Sequence, residues 1–495
     1  LIPLFFLLSI GMSIIYNLGT NIFLGQISYI TQALTAVLQL GVTMDYSIFL
    51  WHRYSDEKRK CDDKKNAMAE AISSTFTSVV ASSTTTVAGF VALCFMSFTL
   101  GLDLGVVMAK GVVLGLIGSV TLLPALLLMT EKLIDKTRHK PLNLEFKRIS
   151  SAIIRYPMVP AVIAVILLVP ATFGYTHTDT YYELYKSVPN DLPFYVASDK
   201  LDKDYGMSST HVLLTDANMS QKEEYQMTKE IEKVDGVKAV LGTGSLLGPA
   251  VPQEILPGSI SNMITSDKHR FMMIVSAYHP ASDEVNNQIK DITSIAKNYS
   301  KDAMLIGEAP GVMDLIEITD RDFKTVTWVS VLAIFFIIAL VLRSFSLPFI
   351  LVGCIELAIM INLGIPYYTG TTLSFIDSIC IGTIQLGATV DYAILITTRY
   401  KRERIAGRGR QRAVKIAHQA AAPSVLTSAV CFFASTVGVA IYSNINLISS
   451  MVGLMARGAL ISMLIVLFVL PAFLYLFDRL IINTTQGMKD CPKEA

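Results

Sequence analysis

The chain alternates long apolar runs with short polar connections. Ten apolar blocks fall at about 1–18, 27–52, 75–97, 105–130, 157–175, 324–342, 347–366, 374–398, 420–441 and 449–477. Each approaches the ~20 residues a helix needs to cross the hydrocarbon of a bilayer. One such block reads equally well as a buried core helix. Ten in one chain predict a polytopic α-helical membrane protein. Between the fifth and sixth blocks, over residues 176–323, the pattern changes. "HVLLTD" (211–216), "VKAVLG" (237–242), "RFMMIVSAY" (270–278) and "AMLIG" (303–307) read as strands. "SQKEEYQMTKEIEKV" (220–234) and "SDEVNNQIKDITSIAKN" (282–298) read as helices, the first opened by a Ser220/Glu223 capping box. The β-α-β-β-α-β order suggests a ferredoxin-like α+β domain.

Composition sharpens this reading. Of 495 residues, 52% are hydrophobic and only 16% charged, against about 25% charged in soluble domains. A net charge of +1 argues against nucleic acid as a partner. The charge is distributed unevenly. Arg399, Lys401, Arg402, Arg404, Arg408, Arg410, Arg412 and Lys415 face one acid, Glu403, in the 399–418 loop. Residues 131–155 carry seven Lys/Arg against three acids, and Arg343 sits in a short connection. If the ten helices alternate, these segments and the C-terminus share one side, which the positive-inside rule assigns to the cytoplasm. The polar region, with 23 Asp/Glu against 13 Lys/Arg, then lies outside.

The expected layout is therefore a four-helix bundle over 1–130, a cytoplasmic linker over 131–156, a membrane helix at 157–175, the exterior porter-like domain at 176–323, a five-helix bundle over 324–477 and a cytoplasmic tail from 478 to 495. Cys94, Cys354, Cys380 and Cys431 lie in apolar blocks, and Cys61 and Cys491 on the inner side. None is in the exterior domain, so no disulfide framework is expected. The first block has no basic n-region or cleavage site and reads as a membrane helix, not a signal peptide. "GTGSLLG" (242–248) lacks G-x-G-x-x-G spacing and precedes Pro249, and no G-x-x-x-x-G-K-[ST] occurs. Without a nucleophile–base constellation or a metal-ligand cluster, the sequence predicts no cofactor, no metal and no enzyme activity.

An internal repeat organises the apolar blocks. Pro3 and "NLG" (17–19) match Pro348 and "NLG" (362–364) at offset 345. "MAKG" (108–111) and "LPA" (123–125) match "MARG" (455–458) and "LPA" (470–472) at offset 347. Blocks one to four thus pair with seven to ten. A segment like 150–345 is then expected upstream of Leu1.

The repeat also duplicates an anomaly. "QLGVTMDYSIFLWHRY" (39–54) and "QLGATVDYAILITTRY" (385–400) share nine of sixteen residues, and each places an aspartate in an apolar helix. A charge at mid-bilayer costs at least ~2.5–3.5 kcal/mol, so two at matched positions call for a function. Asp45 and Asp391 each lie eight residues from an arginine, Arg53 or Arg399, or roughly 12 Å from the interface at helical rise. Burial disfavours the charged form, and a carboxylate neutral in hydrocarbon and charged when hydrated can carry a proton. Tyr46 and Tyr392 can donate to an ionised carboxylate. Adjacent residues point about 100° apart on a helix, so the expected pairs are crossed, Asp45 with Tyr392 and Asp391 with Tyr46.

Gly41 and Gly387, one turn before the aspartates, would let the two helices approach closely. Ser78 and Ser82, with Ser424 and Ser428, form i, i+4 stripes that either line a water path or bond their own backbone. Asp377 reads as an interfacial or pore-mouth group and His52 as a snorkelling histidine. Lys110 and Arg457 read as snorkelling cations with a possible counter-ion role, and Glu356 has no matched acid.

The paired "LG-x-T-x-DY" helices, each ending in Arg-Tyr, resemble the MmpL-type branch of the resistance–nodulation–division superfamily. "LPALLL" (123–128), "LPAFLY" (470–475) and "VPNDLPFYVASDKLDKDYG" (188–206) are similar to further segments of that family. The resemblance implies twelve helices and two exterior porter domains per protomer. Helices one and two and the first porter domain would therefore be missing here, to be supplied by a longer chain, by a partner or by a homo-oligomer. It further implies proton-driven export of lipids, drugs or other hydrophobic compounds across a bacterial inner membrane, with Asp45, Tyr46, Asp391 and Tyr392 as the proton relay. Rival readings are a sodium-coupled or protein-translocating relative, or a receptor or scaffold that kept the fold without the pump.

Overall fold

The computed structural model describes residues 1–60, 63–137, 146–183, 189, 191–248 and 264–488; the side chains of residues 77, 78, 135, 246 and 247 also lie outside the described set. Cys61, Cys491 and parts of the 131–155 loop, the 188–206 segment and the tail are therefore outside it. The chain divides into two compact units, Leu1–Thr180 with Arg321–Ala495, and Tyr181–Asp320.

The first unit is mainly helical. Its N-terminal part holds α1 (Ile2–Gly19), α2 (Tyr29–Glu57), α3 (Lys64–Ala92), α4 (Thr99–Val120), α5 (Leu122–Lys136), α6 (Lys147–Arg155) and α7 (Met158–His177). Nine helices among the described residues are long and apolar enough to cross a membrane. A bent pair, Lys64–Phe76 with Val79–Phe95 at 44°, meets the same test together. The chain is a multi-pass membrane protein.

The second unit carries α8 (Pro193–Tyr205), β1 (Ser209–Asp216), α9 (Gln221–Ile231), β2 (Val237–Leu241), α10 (Thr243–Leu247), β3 (His269–Ser276), α11 (Asp283–Tyr299) and β4 (Met304–Gly307). The sheet order is β2-β3-β1-β4, with every pairing antiparallel. Alternation along β1 turns Leu213 inward, where it meets Met227 and Ile231 of α9 and Ile292 and Ala296 of α11. Fully burying an aliphatic side chain of this kind stabilises a fold by roughly 1.5–3 kcal/mol. Ser220 and Glu223 form the capping box at the start of α9. The glycine-rich 242–248 segment holds the short α10, and its Gly244 N–H and Thr243 hydroxyl are both spent on the buried carboxylate of Glu224. Arg270 completes that cluster at 2.7 Å.

The chain continues through α12 (Glu308–Leu342), α13 (Ser346–Thr369), α14 (Phe375–Ile405), α15 (Arg410–Tyr442), α16 (Asn446–Leu476) and α17 (Asp478–Thr484). Helices α13–α15 repeat α1–α3 in order, α16 covers the counterparts of α4 and the first part of α5, and α17 matches the end of α5. Ser28 and Ser374 sit at matched positions, and each accepts the N–H two residues on to cap its aspartate helix. Helix α7 packs on α13, where Gly174 and Gly364 bring the two backbones together. A Cβ at Gly174 would lie 2.6 Å from the Gly364 carbonyl oxygen. The 478–495 segment is not a free tail over its first turns, because Asp478, Ile481 and Ile482 of α17 are buried.

Candidate functional site

Asp45 and Asp391 are both buried near the middle of α2 and α14. Besides their neighbours in the same half, the helices carrying them each pack along one helix of the other, α2 along α15 and α14 along α3. Glycines set these contacts. A Cβ on Gly387 would sit 3.3 Å from Gly89 Cα on α3, and one on Gly41 would sit 3.0 Å from Phe432 and Ser435 of α15. The expected approach of one aspartate helix to the other through Gly41 and Gly387 is thus corrected. Each glycine admits a serine-bearing helix of the other repeat.

That crossing brings hydroxyls to the carboxylates. Ser82 donates to Asp391 Oδ2, and Thr85 donates to Oδ1 at 3.3 Å. Thr86 donates to the Gly387 carbonyl oxygen at 3.1 Å. Ser428, the repeat partner of Ser82, lies beside Asp45, which is also within electrostatic reach of Asp391. The positions matching Thr85 and Thr86 are Cys431 and Phe432, so Asp45 has a more apolar surround. Among the described residues, Asp45 Oδ1 and Ser428 Oγ make no hydrogen bond. Ser424 is half-buried one turn before Ser428, and the side chain of Ser78 lies outside the described residues.

The tyrosines are fully buried beside the acids. Each tyrosine lies within electrostatic reach of both aspartates. Neither hydroxyl has a hydrogen-bond partner among the described residues. The site is therefore a buried cluster of two acids, two phenols and a crossed set of serine and threonine hydroxyls. In an apolar surround a buried carboxylate and an unpartnered phenol are both costly. Such groups suit a site that takes up and releases small ions.

The weaker candidates resolve differently. Asp377 is wholly buried and accepts from Ser450 at 2.7 Å, so it is not a pore-mouth group. His52 is exposed. Arg457 does not snorkel; its guanidinium donates at 2.8 Å to both Oδ1 and the main-chain oxygen of Asn362. Lys110 donates to Asn21 Oδ1 at 2.5 Å. No cluster of three or more His, Cys, Asp or Glu among the described residues can hold a metal ion.

The chain matches the MMPL family over residues 1–160 and 195–489. It belongs to the MMPL family. It is 26% identical over 419 residues to the putative membrane protein ActII-3 of Streptomyces coelicolor, covering 80% of this chain and 55% of that protein. To membrane protein YdfJ of Bacillus subtilis it is 21% identical over 425 residues, with the same two shares. Over 262 residues it is 26% identical to the siderophore exporter MmpL5 of Mycobacterium tuberculosis, covering 51% of this chain and 27% of that one. The chain spans about half the length of the first two relatives. The relatives that carry functional names are named as transport proteins and exporters.

Proposed function

We propose that the chain acts in secondary active export of lipids or other hydrophobic compounds across a bacterial inner membrane, driven by protons. The observation that carries this reading is the pair of buried carboxylates, Asp45 and Asp391, at matched positions and within electrostatic reach of each other. Proton uptake neutralises them and changes the packing of α2 and α14 against α15 and α3. Tyr46 and Tyr392 complete the relay. Each proton driven through ~100 mV supplies about 2.3 kcal/mol, enough to bias a two-state helix packing by tens-fold.

In the same reading the bent α3 pair brings the spans to ten. The basic segments and the C-terminus face the cytoplasm, and the α/β unit lies outside. Its sheet order supports a ferredoxin-like porter domain, and α12 carries movement outward. An open apolar groove of about 620 Å³ along α7, α13, α16 and α17, lined by Ala164, Leu168, Phe349, Ile350, Leu357 and Phe473, supports a hydrophobic guest. Export is also what the name of the mycobacterial relative states for that protein.

The test is Asp45→Asn and Asp391→Asn in proteoliposomes under an imposed pH gradient. Both abolish gradient-driven substrate movement while leaving the protein folded; retained transport in either one ends the proposal. A second reading, sodium coupling, draws on the oxygens around Asp391 from Ser82, Thr85, Thr86 and Gly387, since hard cations prefer oxygen ligands. Replacing sodium with choline at constant pH gradient separates the two: transport persists under proton coupling and stops under sodium coupling.

A further inference from the structure

Two polar clusters flank each carboxylate along the repeats, and neither is used by the relay. The first lies in the segments "NLG", "QLG" and "MAKG"/"MARG". Asn362 donates to Gln385 Oε1 at 2.8 Å and to the Leu454 carbonyl at 2.9 Å. Gln385 donates to Ser462 at 3.0 Å and to the Gly458 carbonyl at 3.3 Å. The matched residues do the same: Asn17 donates to Gln39 at 2.9 Å and to the Val107 carbonyl at 3.2 Å, and Gln39 to the Gly111 carbonyl at 3.0 Å. Glycines at 111 and 458 leave the amides their room, since a Cβ would lie 2.6 Å from Asn17 Nδ2 or 2.5 Å from Gln385 Oε1 and force the amide to shift.

The second cluster closes the Arg-Tyr end of each aspartate helix. Tyr400 and Arg404 of α14 both bind Asp478, at the start of α17. Tyr54 and Lys58 bind Glu131 of α5 at the matched positions.

The two copies differ in the same sense at both levels. In the second copy the cation is an arginine used as a fork. Arg404 is fully buried and reaches both Asp478 oxygens, at 3.0 and 3.1 Å, while Arg457 grips two oxygens of Asn362. In the first copy the cation is a lysine. Lys58 and Lys64 share Glu131 with side chains 29% and 51% exposed. Lys110 turns to Asn21 instead, and Asn17 Oδ1 makes no hydrogen bond among the described residues. Ser462 has Gly115 as its repeat partner, so one more hydroxyl is lost. A planar guanidinium fixes the orientation of what it binds; an ammonium is a point charge that tolerates rotation.

We infer that α13–α17 form the fixed half of the membrane unit and that α2 is the aspartate helix that moves against it, with Arg404 and Arg457 as the positioning residues that impose the asymmetry. The inference goes beyond proton-driven export and does not require it, because its readout is a local opening equilibrium measured without transport. The full chain in lipid nanodiscs at one fixed pH is followed by amide hydrogen exchange. Residues 46–57 of α2 are expected to exchange at least about ten-fold faster than residues 392–403 of α14. Arg404→Lys with Arg457→Lys raises exchange in 392–403 toward the α2 rate. Lys58→Arg with Lys110→Arg slows 46–57. Equal protection of the two segments in the wild type, or faster exchange in α14, overturns the inference. So does a failure of both exchanges of cation to move protection.

Discussion

Ser82 and Asp391 stand 309 positions apart and share a hydrogen bond between the two repeats. Together with Thr85 it gives Asp391 two hydroxyl donors from a helix of the other half. A hydrogen bond to a charged group contributes about 1.5–3 kcal/mol. Ser82→Ala is therefore expected to slow gradient-driven flux by about 10- to 100-fold. Ser424→Ala, one turn from the matched serine, stays within about two-fold by the same reasoning. Initial rates in proteoliposomes with a pH-sensitive dye decide between them, and equal rates for the two variants would refute a working role for the Ser82 contact.

Gly89 bears on the same contact from the side. A Cβ there would lie 3.0 Å from Gly387 Cα and 3.3 Å from the Thr383 carbonyl. These are backbone atoms, which cannot rotate away. Gly89→Ala is expected to cost about 1–3 kcal/mol of overpacking and to lower the melting temperature of the detergent-solubilised protein. Gly353→Ala, where nothing lies within 4 Å of the new Cβ, is the control and should leave it unchanged.

Asp322 of α12 binds the turn between α3 and α4. Its carboxylate accepts from Ser97 N–H at 2.7 Å, Ser97 Oγ at 2.9 Å and Phe98 N–H at 3.2 Å. Asp322→Ala leaves three donors unpaired and is expected to destabilise that turn by about 2–3 kcal/mol. Accelerated hydrogen exchange confined to 96–101 would register it. Unchanged exchange there would show that water replaces the carboxylate at no cost.

His211 supplies a pH dependence in the α/β unit. It is wholly buried on β1, and loss of water holds its imidazole below the ordinary value of 6.5, with nearby Gln288 opposing the shift. The folded state then binds fewer protons than the unfolded one between the lowered value and about 6.5. Stability is complete above about 6.5 and declines as pH falls through that window. The protection factors of residues 209–216 should drop between pH 7 and 5 in the wild type and hold in His211→Phe. A drop of equal size in both would place the acid-sensitive group elsewhere.

Much of this site was legible in the sequence. The two aspartates were exposed by their cost in an apolar helix, and the repeat fixed their equivalence. Ser82 and Ser428 emerged from their spacing, and the strands of the α/β unit from alternation. Thr85 and Thr86 were missed because the repeat replaces them with Cys431 and Phe432, so comparison of the halves erased the signal. A reading of the α3 face alone, three and four residues past Ser82, would have found them. Gly89 was hidden in the same way by Ser435. The destination of Gly41 and Gly387 was misread because a small residue announces a close approach without naming the helix that makes it. Asn17, Gln39 and their partners stood inside the quoted motifs. Their amides are neutral, however, and nothing in a linear sequence shows which carbonyl a buried amide will meet.

The crossing of α3 and α15 has a further consequence. Neither copy of the repeat carries a finished site, because Asp391 takes its hydroxyls from the first copy and Asp45 finds its serine in the second. One copy alone lacks the hydroxyl its acid meets. Because the two copies are joined but not identical, the surroundings of the acids are free to differ, with Thr85 and Thr86 beside one and Cys431 and Phe432 at the matching places beside the other.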